Sequence, residues 1–155
     1  MPIKTKKKAP SAAATRTAKP PVVAPLKLPP DISRVLVEVA RNMRANAHVP
    51  YSGYQVGAAL LGASGLVYGG CNVENASYGL SICAERCAFV KAVSEGERAF
   101  VAIVVATDDG GTPCGACRQF MAEFGLDTTV ILIDKRGRQK LYTVGDLLPD
   151  AFVLH

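Results

Sequence analysis

The chain has 155 residues, of which 49% are hydrophobic and 20% charged, enough for one domain with a sizeable core. Its formal charge of +5 is uneven: residues 1–30 carry seven Lys/Arg and no acid, so residues 31–155 carry 11 bases against 13 acids, a net −2. A mildly acidic folded part argues against a nucleic-acid-binding core, and no apolar run approaches the roughly 20 residues of a membrane-spanning helix.

Residues 1–30 also contain seven of the ten prolines. Proline at that density favours extended, solvated chain, and the segment is expected to be a disordered basic tail. Order is expected from Asp31. Ile32, Val35, Leu36, Val39, Ala40 and Met43 recur at helical spacing, with Asp31 or Ser33 as the cap. HVPYSG breaks that pattern. YQVGAALLGA reads as a buried strand, Ser64-Gly65 as a turn and LVYGGCNV as the returning strand. ENASYGLS is a loop, and Cys83 to Glu95 is a helix ending at Gly96. FVAIVVAT has the continuous apolar character of a central strand. DDGGTP leads into a second helix from Cys114 to Phe124, then TTVILID and QKLYTV give two more strands around KRGR. The order α-β-β-α-β-α-β-β implies an α/β fold with a mixed sheet and helices on both faces.

The chemistry lies at the two internal helix starts. There are five cysteines, Cys71, Cys83, Cys87, Cys114 and Cys117. An odd number without a secretory signal argues against a disulfide framework. Cys114-Gly-Ala-Cys117 is a C-x-x-C at a strand-to-helix junction, which suits either a redox pair or a zinc site. Cys83, at the other helix start, tilts the choice to zinc, because two helices on one sheet face can aim their first turns at one point. Water as fourth ligand makes an open, catalytic site; Cys87 makes a closed, structural one. Cys87 lies one turn into its helix and suits a small hydrophobic role. Glu85, beside three thiolates, makes sense if it handles protons. Arg86 and Arg118 each follow a ligand closely and could offset its charge or form surface pairs. Cys71 is expected as a buried small hydrophobe, and His48 and His155 as solvated or structural.

C-A-E followed by P-C-x-x-C is the signature of the zinc nucleoside and nucleobase deaminases. CAER and PCGACRQ, with VPYSGYQVGAALL, NVENASYG and LLPDAF, resemble the small three-cysteine cytidine deaminases from about Ile32 to Phe152. The resemblance implies a three-layer α/β/α cytidine-deaminase-like fold with a mixed five-stranded sheet over residues 31–155. It implies one Zn²⁺ per subunit on Cys83, Cys114 and Cys117, with Glu85 as proton shuttle and Arg86 compensating charge. It further implies that Asn72 and Glu74 hold the ribose hydroxyls. Tyr54 stands near the base, where the family commonly has Phe. Ala76 and Tyr78 belong to a segment that enters a neighbouring subunit's site, and Phe152 covers the base across an interface. The implied reaction is hydrolytic deamination of cytidine and deoxycytidine to uridine and deoxyuridine, with release of ammonia, in pyrimidine salvage. The implied setting is a cytoplasmic homotetramer with shared sites and no membrane or specific nucleic-acid partner. Three alternatives stay open on the residues: a deaminase of another amino-heterocycle, a four-cysteine zinc knot with a basic arm, and a thiol–disulfide oxidoreductase using Cys114 and Cys117.

Overall fold

The computed structural model describes residues 24–152. The expectations for residues 1–23 and for His155 lie outside the described residues. A five-stranded sheet has the order β2-β1-β3-β4-β5, formed by β1 (Gly57–Gly62), β2 (Val67–Cys71), β3 (Phe100–Ala106), β4 (Thr129–Ile133) and β5 (Gln139–Thr143). Only β3 and β4 pair in parallel, Ala102 opposite Thr129 through Ala106 opposite Ile133. The other neighbours are antiparallel, so the sheet is mixed. The two strands on either side of central β3, β1 and β4, are buried at every residue, as their largely apolar sequences require.

Among the described residues there are also four helices, α1 (Pro30–Ala45), α2 (Ala84–Ser94), α3 (Gly115–Ala122) and the short α4 (Val144–Leu147), with a 3₁₀ turn at Tyr78–Leu80. Leu36 and Ala40 of α1 are fully buried against Ala59, Leu61, Val104, Ala106, Ile131 and Ile133. Phe89 and its neighbours on α2, together with Met121 of α3, pack against Ala58, Leu60, Ile103, Val105, Val130 and Leu132. These two sets alternate along each strand, so the pleat divides one core into two and fixes three layers.

The topology explains why α2 and α3 share a face. Strands β2 and β3 are both antiparallel to β1 and therefore run the same way, and β4 is parallel to β3. The links β2–α2–β3 and β3–α3–β4 are both crossovers that step in the same direction across the sheet. The right-handed rule for such links puts both helices on one face. Both helices then begin at the carboxyl ends of their preceding strands, the end of an open α/β sheet where ligands bind. Phe89 of α2 meets Phe120 of α3 edge-on at 6.1 Å between ring centroids, stacks on Phe124 just past α3 at 5.2 Å and lies 4.7 Å from Phe100 of β3, which ties the two helices to each other and to the sheet.

Close approach sets the height of the site above the sheet. A Cβ built on Gly70 of β2 would lie 2.5 Å from the Ala84 carbonyl oxygen and 2.5 Å from the Ala88 nitrogen, both backbone atoms of α2. Gly70→Ala must therefore lift the first turn of α2 off the sheet. It is expected to lower stability by about 1–3 kcal/mol and, because Cys83 caps that turn, to weaken metal retention. Thermal denaturation and metal analysis of the variant check both effects.

Three expectations are corrected. First, ordered contacts begin before Asp31: the Leu26 amide donates to Thr129 Oγ1 at 2.8 Å and Leu28 packs beside α1. Second, neither Asp31 nor Ser33 caps α1. Pro29 occupies the cap position without a side-chain hydrogen bond, and Pro30 begins the helix, where its missing N–H costs nothing. Third, Val144 does not extend the last strand but opens α4. Thr143 caps it through the Asp146 amide, and Asp146 returns the bond to the Thr143 amide at 2.7 Å.

Candidate metal centre and adjoining cleft

Cys83 and Cys114 occupy equivalent places, each with extended backbone at the N-cap of its helix. Cys117 follows in the first turn of α3 and is fully buried. The three sulfurs lie within 4.8 Å of one another. Cys83 Sγ and Cys114 Sγ are 3.9 Å apart. Tetrahedral zinc with bonds of about 2.3 Å to sulfur requires sulfur–sulfur distances of about 3.8 Å. The donor set therefore fits zinc in chemistry and in spacing.

Electrostatics around the thiols point the same way. A hydrogen bond from the Cys117 thiol, together with the Arg86 guanidinium and the Cys114 thiol, brings Cys83 down to about 5 against the opposing effect of burial. Cys117 is pushed up because it keeps the proton of that shared bond and is itself buried. Metal binding would release that proton, as it must for any thiolate ligand. Arg86 Nη2 lies 3.7 Å from Cys83 Sγ and 3.3 Å from the Ser81 carbonyl, and the thiolate holds the guanidinium firmly charged. The two helix N-termini add partial positive charge at the same point.

Glu85 is in the first turn of α2 and only 4% exposed. Burial, reinforced by the neighbouring Cys83 thiolate, raises its pKa. It does not join the three thiols as a ligand. A buried carboxyl held towards its neutral form beside a metal centre is suited to carry protons.

Among the described residues the metal-ligating cluster is Cys83, Cys114 and Cys117 alone, so Cys87 is not the fourth ligand of a closed site. Cys87 is half-buried, and burial raises its pKa. Cys87→Ser is accordingly expected to keep one zinc per chain, measured by metal analysis of the purified protein. Cys71, expected to be buried, is half-buried instead, with Sγ 3.5 Å from the Asn46 carbonyl oxygen. The strand ends there, at the sheet edge, and leaves the side chain partly open.

A cavity of about 450 Å³ adjoins Cys83, and Asn72, Glu74, Tyr78 and Ser81 are among its walls. The Asn72 side chain is already at work within the fold: its Oδ1 accepts from the Val56 amide at 2.8 Å and its Nδ2 donates to the Tyr54 carbonyl at 2.8 Å. Glu74 accepts from the Tyr51 amide at 2.9 Å, the Ser52 amide at 3.2 Å and the Ser52 hydroxyl at 2.5 Å, which together hold its carboxyl below the ordinary range. Both residues thus brace the 51–56 segment, and each keeps further bonding capacity facing the cavity. Tyr54, Ala76 and Phe152 are not among its walls. Ala76 is exposed in the loop before the 3₁₀ turn, and Tyr78 is 78% exposed. Phe152 is 68% exposed. His48 is exposed, as its loop position suggests.

Two residues do more than the sequence indicated. Arg118 reaches away from the thiols: its Nε donates to the Pro113 carbonyl at 2.7 Å, Nη2 to Thr112 Oγ1 at 2.9 Å and Nη1 to the Leu147 carbonyl at 3.1 Å. It steadies the peptide just before Cys114 rather than the charge on it. Gln119 pairs with the Phe152 backbone in both directions, donating at 2.7 Å and accepting at 3.1 Å. The only sequence signal for either was proximity to the C-x-x-C.

The fold and these residues define a zinc-dependent deaminase, a hydrolase of C–N bonds, with Cys83, Cys114 and Cys117 placed to hold its ion. A family model described as "Cytidine and deoxycytidylate deaminase zinc-binding region" matches residues 31–133, and the chain belongs to that family. Its relatives include a cytidine deaminase of Halalkalibacterium halodurans, 52% identical over 122 residues that cover 77% of this chain and 92% of the relative. One of Sporosarcina psychrophila is 47% identical over 125 residues, covering 79% and 91%. Among solved structures, the cytidine deaminase from Burkholderia pseudomallei superposes with a TM-score of 0.74 at 48% identity, covering 77% of this chain and 98% of that one.

Proposed function

We propose that the protein hydrolyses the amino group of cytidine and deoxycytidine, giving uridine and deoxyuridine with ammonia, and that it serves pyrimidine salvage in the cytoplasm. The observation that carries this reading is the buried carboxyl of Glu85 set beside a three-thiolate centre at the mouth of a nucleoside-sized cleft. Zinc, when bound there, supplies a water acidic enough to furnish hydroxide near neutrality. Glu85 takes a proton from the attacking water and delivers it to N3 of the pyrimidine, which makes C4 electrophilic. After the hydroxyl has added at C4, Glu85 takes the remaining proton from that hydroxyl and passes it to the exocyclic nitrogen; the C4–N bond breaks, ammonia leaves and the C4 carbonyl of uridine forms. Arg86 and the helix N-termini balance the thiolate charge throughout.

Asn72 and Glu74 use their remaining hydrogen-bonding capacity on the ribose hydroxyls. Among the described residues the cleft walls contain Glu74 and no Lys or Arg, which favours an uncharged nucleoside over a nucleotide or polynucleotide. Beside the cleft, Val73, Tyr78, Leu80 and Ile82 are 41%, 78%, 65% and 43% exposed. Such an apolar strip supports a homotetramer in which Ala76, Tyr78 and Phe152 complete a neighbour's site. Among the described residues no helix is long and apolar enough to cross a membrane.

The substrate range is tested by steady-state kinetics on cytidine, deoxycytidine and their 5′-monophosphates. Turnover of both nucleosides with the monophosphates poor is the expected result, and preference for a monophosphate would overturn the nucleoside reading. Light scattering tests the tetramer.

A further inference from the structure

The loop from Thr107 to Pro113 delivers Cys114 to the metal centre, and a carboxylate outside that centre organises it. Asp109 Oδ1 accepts from Thr107 Oγ1 at 3.1 Å and from the Gly111 amide at 3.1 Å. Thr107 Oγ1, buried at the end of β3, accepts in turn from the amides of Gly110 at 2.8 Å and Gly111 at 3.0 Å. The same Asp109 oxygen accepts from the Tyr54 hydroxyl at 2.7 Å, across 55 residues of sequence. Gly111 permits this approach, since a Cβ there would lie 3.0 Å from the Tyr54 oxygen. The Tyr54 backbone is itself fixed from the cleft side, by Asn72 at its carbonyl and Ser52 Oγ at its amide, and Ser52 is held by Glu74. A continuous chain of hydrogen bonds thus runs from the cleft walls through the Tyr54 hydroxyl to the loop that carries Cys114.

We propose that Asp109 is a positioning residue for the metal centre, acting through the Tyr54 hydroxyl to hold the Cys114 loop in register with the segment that walls the cleft. A parallel tether exists: Arg44 Nη2 meets Asp108 Oδ1 at 2.7 Å and Arg44 Nε donates to the Gln55 carbonyl at 3.2 Å. It anchors the loop one residue earlier, to α1, while Arg118 holds Thr112 and Pro113 from α3; the Tyr54 hydroxyl is what ties Asp109, between these two anchors, to the 51–56 segment. A bond from a hydroxyl to a charged acceptor has enough strength to slow opening of that stretch measurably, even at the surface. The inference rests on zinc being held by Cys83, Cys114 and Cys117.

The test is the rate at which the zinc-loaded protein gives up its metal to a chromogenic chelator, well below the melting temperature. Tyr54→Phe and Asp109→Ala are each expected to release zinc about fivefold faster than the parent. The double variant should be no faster than Asp109→Ala alone, the non-additivity of one shared interaction. Asp109→Asn keeps an acceptor oxygen but loses its charge, and should release zinc at a rate between those of the parent and Asp109→Ala. Melting temperatures of the parent and the four variants are measured alongside, because a merely structural role would move the melting temperature without the release rate. Parental release rates in Tyr54→Phe and Asp109→Ala, or additive effects in the double variant, overturn the proposal. A parent that binds no zinc at all overturns the metal assignment itself, so the two failures are distinguishable.

Discussion

Glu85→Gln is expected to retain one zinc per chain and to lose about 10²- to 10⁴-fold in turnover, the range for removal of a general acid–base group. The substitution keeps the shape of the side chain in a site that is only 4% exposed, so the packing around it is preserved. It leaves the three thiols untouched, since Glu85 lies outside the ligand cluster. What it removes is the ability to accept and return a proton. Burial and the Cys83 thiolate raise the pKa of the carboxyl, which brings proton uptake nearer to neutral pH than for a solvated glutamate. An amide cannot titrate there. Kinetics with metal analysis on the same preparation check the prediction. Near-normal turnover would remove Glu85 from the mechanism, and lost zinc would make it a structural residue.

Cys117→Ala has the second large effect, and it arises differently. Cys117 is the fully buried member of the cluster, one turn into α3, with Cys83 as its hydrogen-bonding partner. Its loss leaves two thiolates, too few for a stable tetrahedral zinc site. Zinc content and activity are both expected to fall to background. Because a ligand that binds only the folded state stabilises it by mass action, the variant should melt below the zinc-loaded parent. A chelator should lower the melting temperature of the parent towards that of the variant and leave the variant unchanged. Retention of stoichiometric zinc by Cys117→Ala would contradict the three-thiolate assignment.

The parts of this account that were legible in the sequence are those fixed by local pattern. Gly57–Gly62, Phe100–Ala106 and Thr129–Ile133 read as strands because buried strands need unbroken apolar residues, and the structure buries them. The thiol cluster was legible because C-A-E and C-x-x-C each place ligands at a helix start, and the direction of the two crossovers brings those starts together. Parts that depend on chain segments meeting in space were not legible. Nothing near Asn72 or Glu74 indicates that their side chains are bonded to the 51–56 segment. The same holds for Tyr54 with Asp109, and for Arg118 with Leu147. The short α4 did carry a signal, Thr143 with Asp146 three residues on, but a four-residue helix has too little periodicity to compete with the strand before it. The tail boundary was set by proline density, which does not register that Leu28 has apolar residues to pack against.

The central claim is that a three-thiolate zinc centre and a buried glutamate deaminate a free pyrimidine nucleoside. It is tested most directly by incubating the zinc-loaded protein with cytidine, following the ultraviolet spectrum and assaying ammonia at the end. The account predicts conversion to uridine with one ammonia per cytidine consumed. An unchanged spectrum and no ammonia, from protein shown to be folded and to carry zinc, would contradict it.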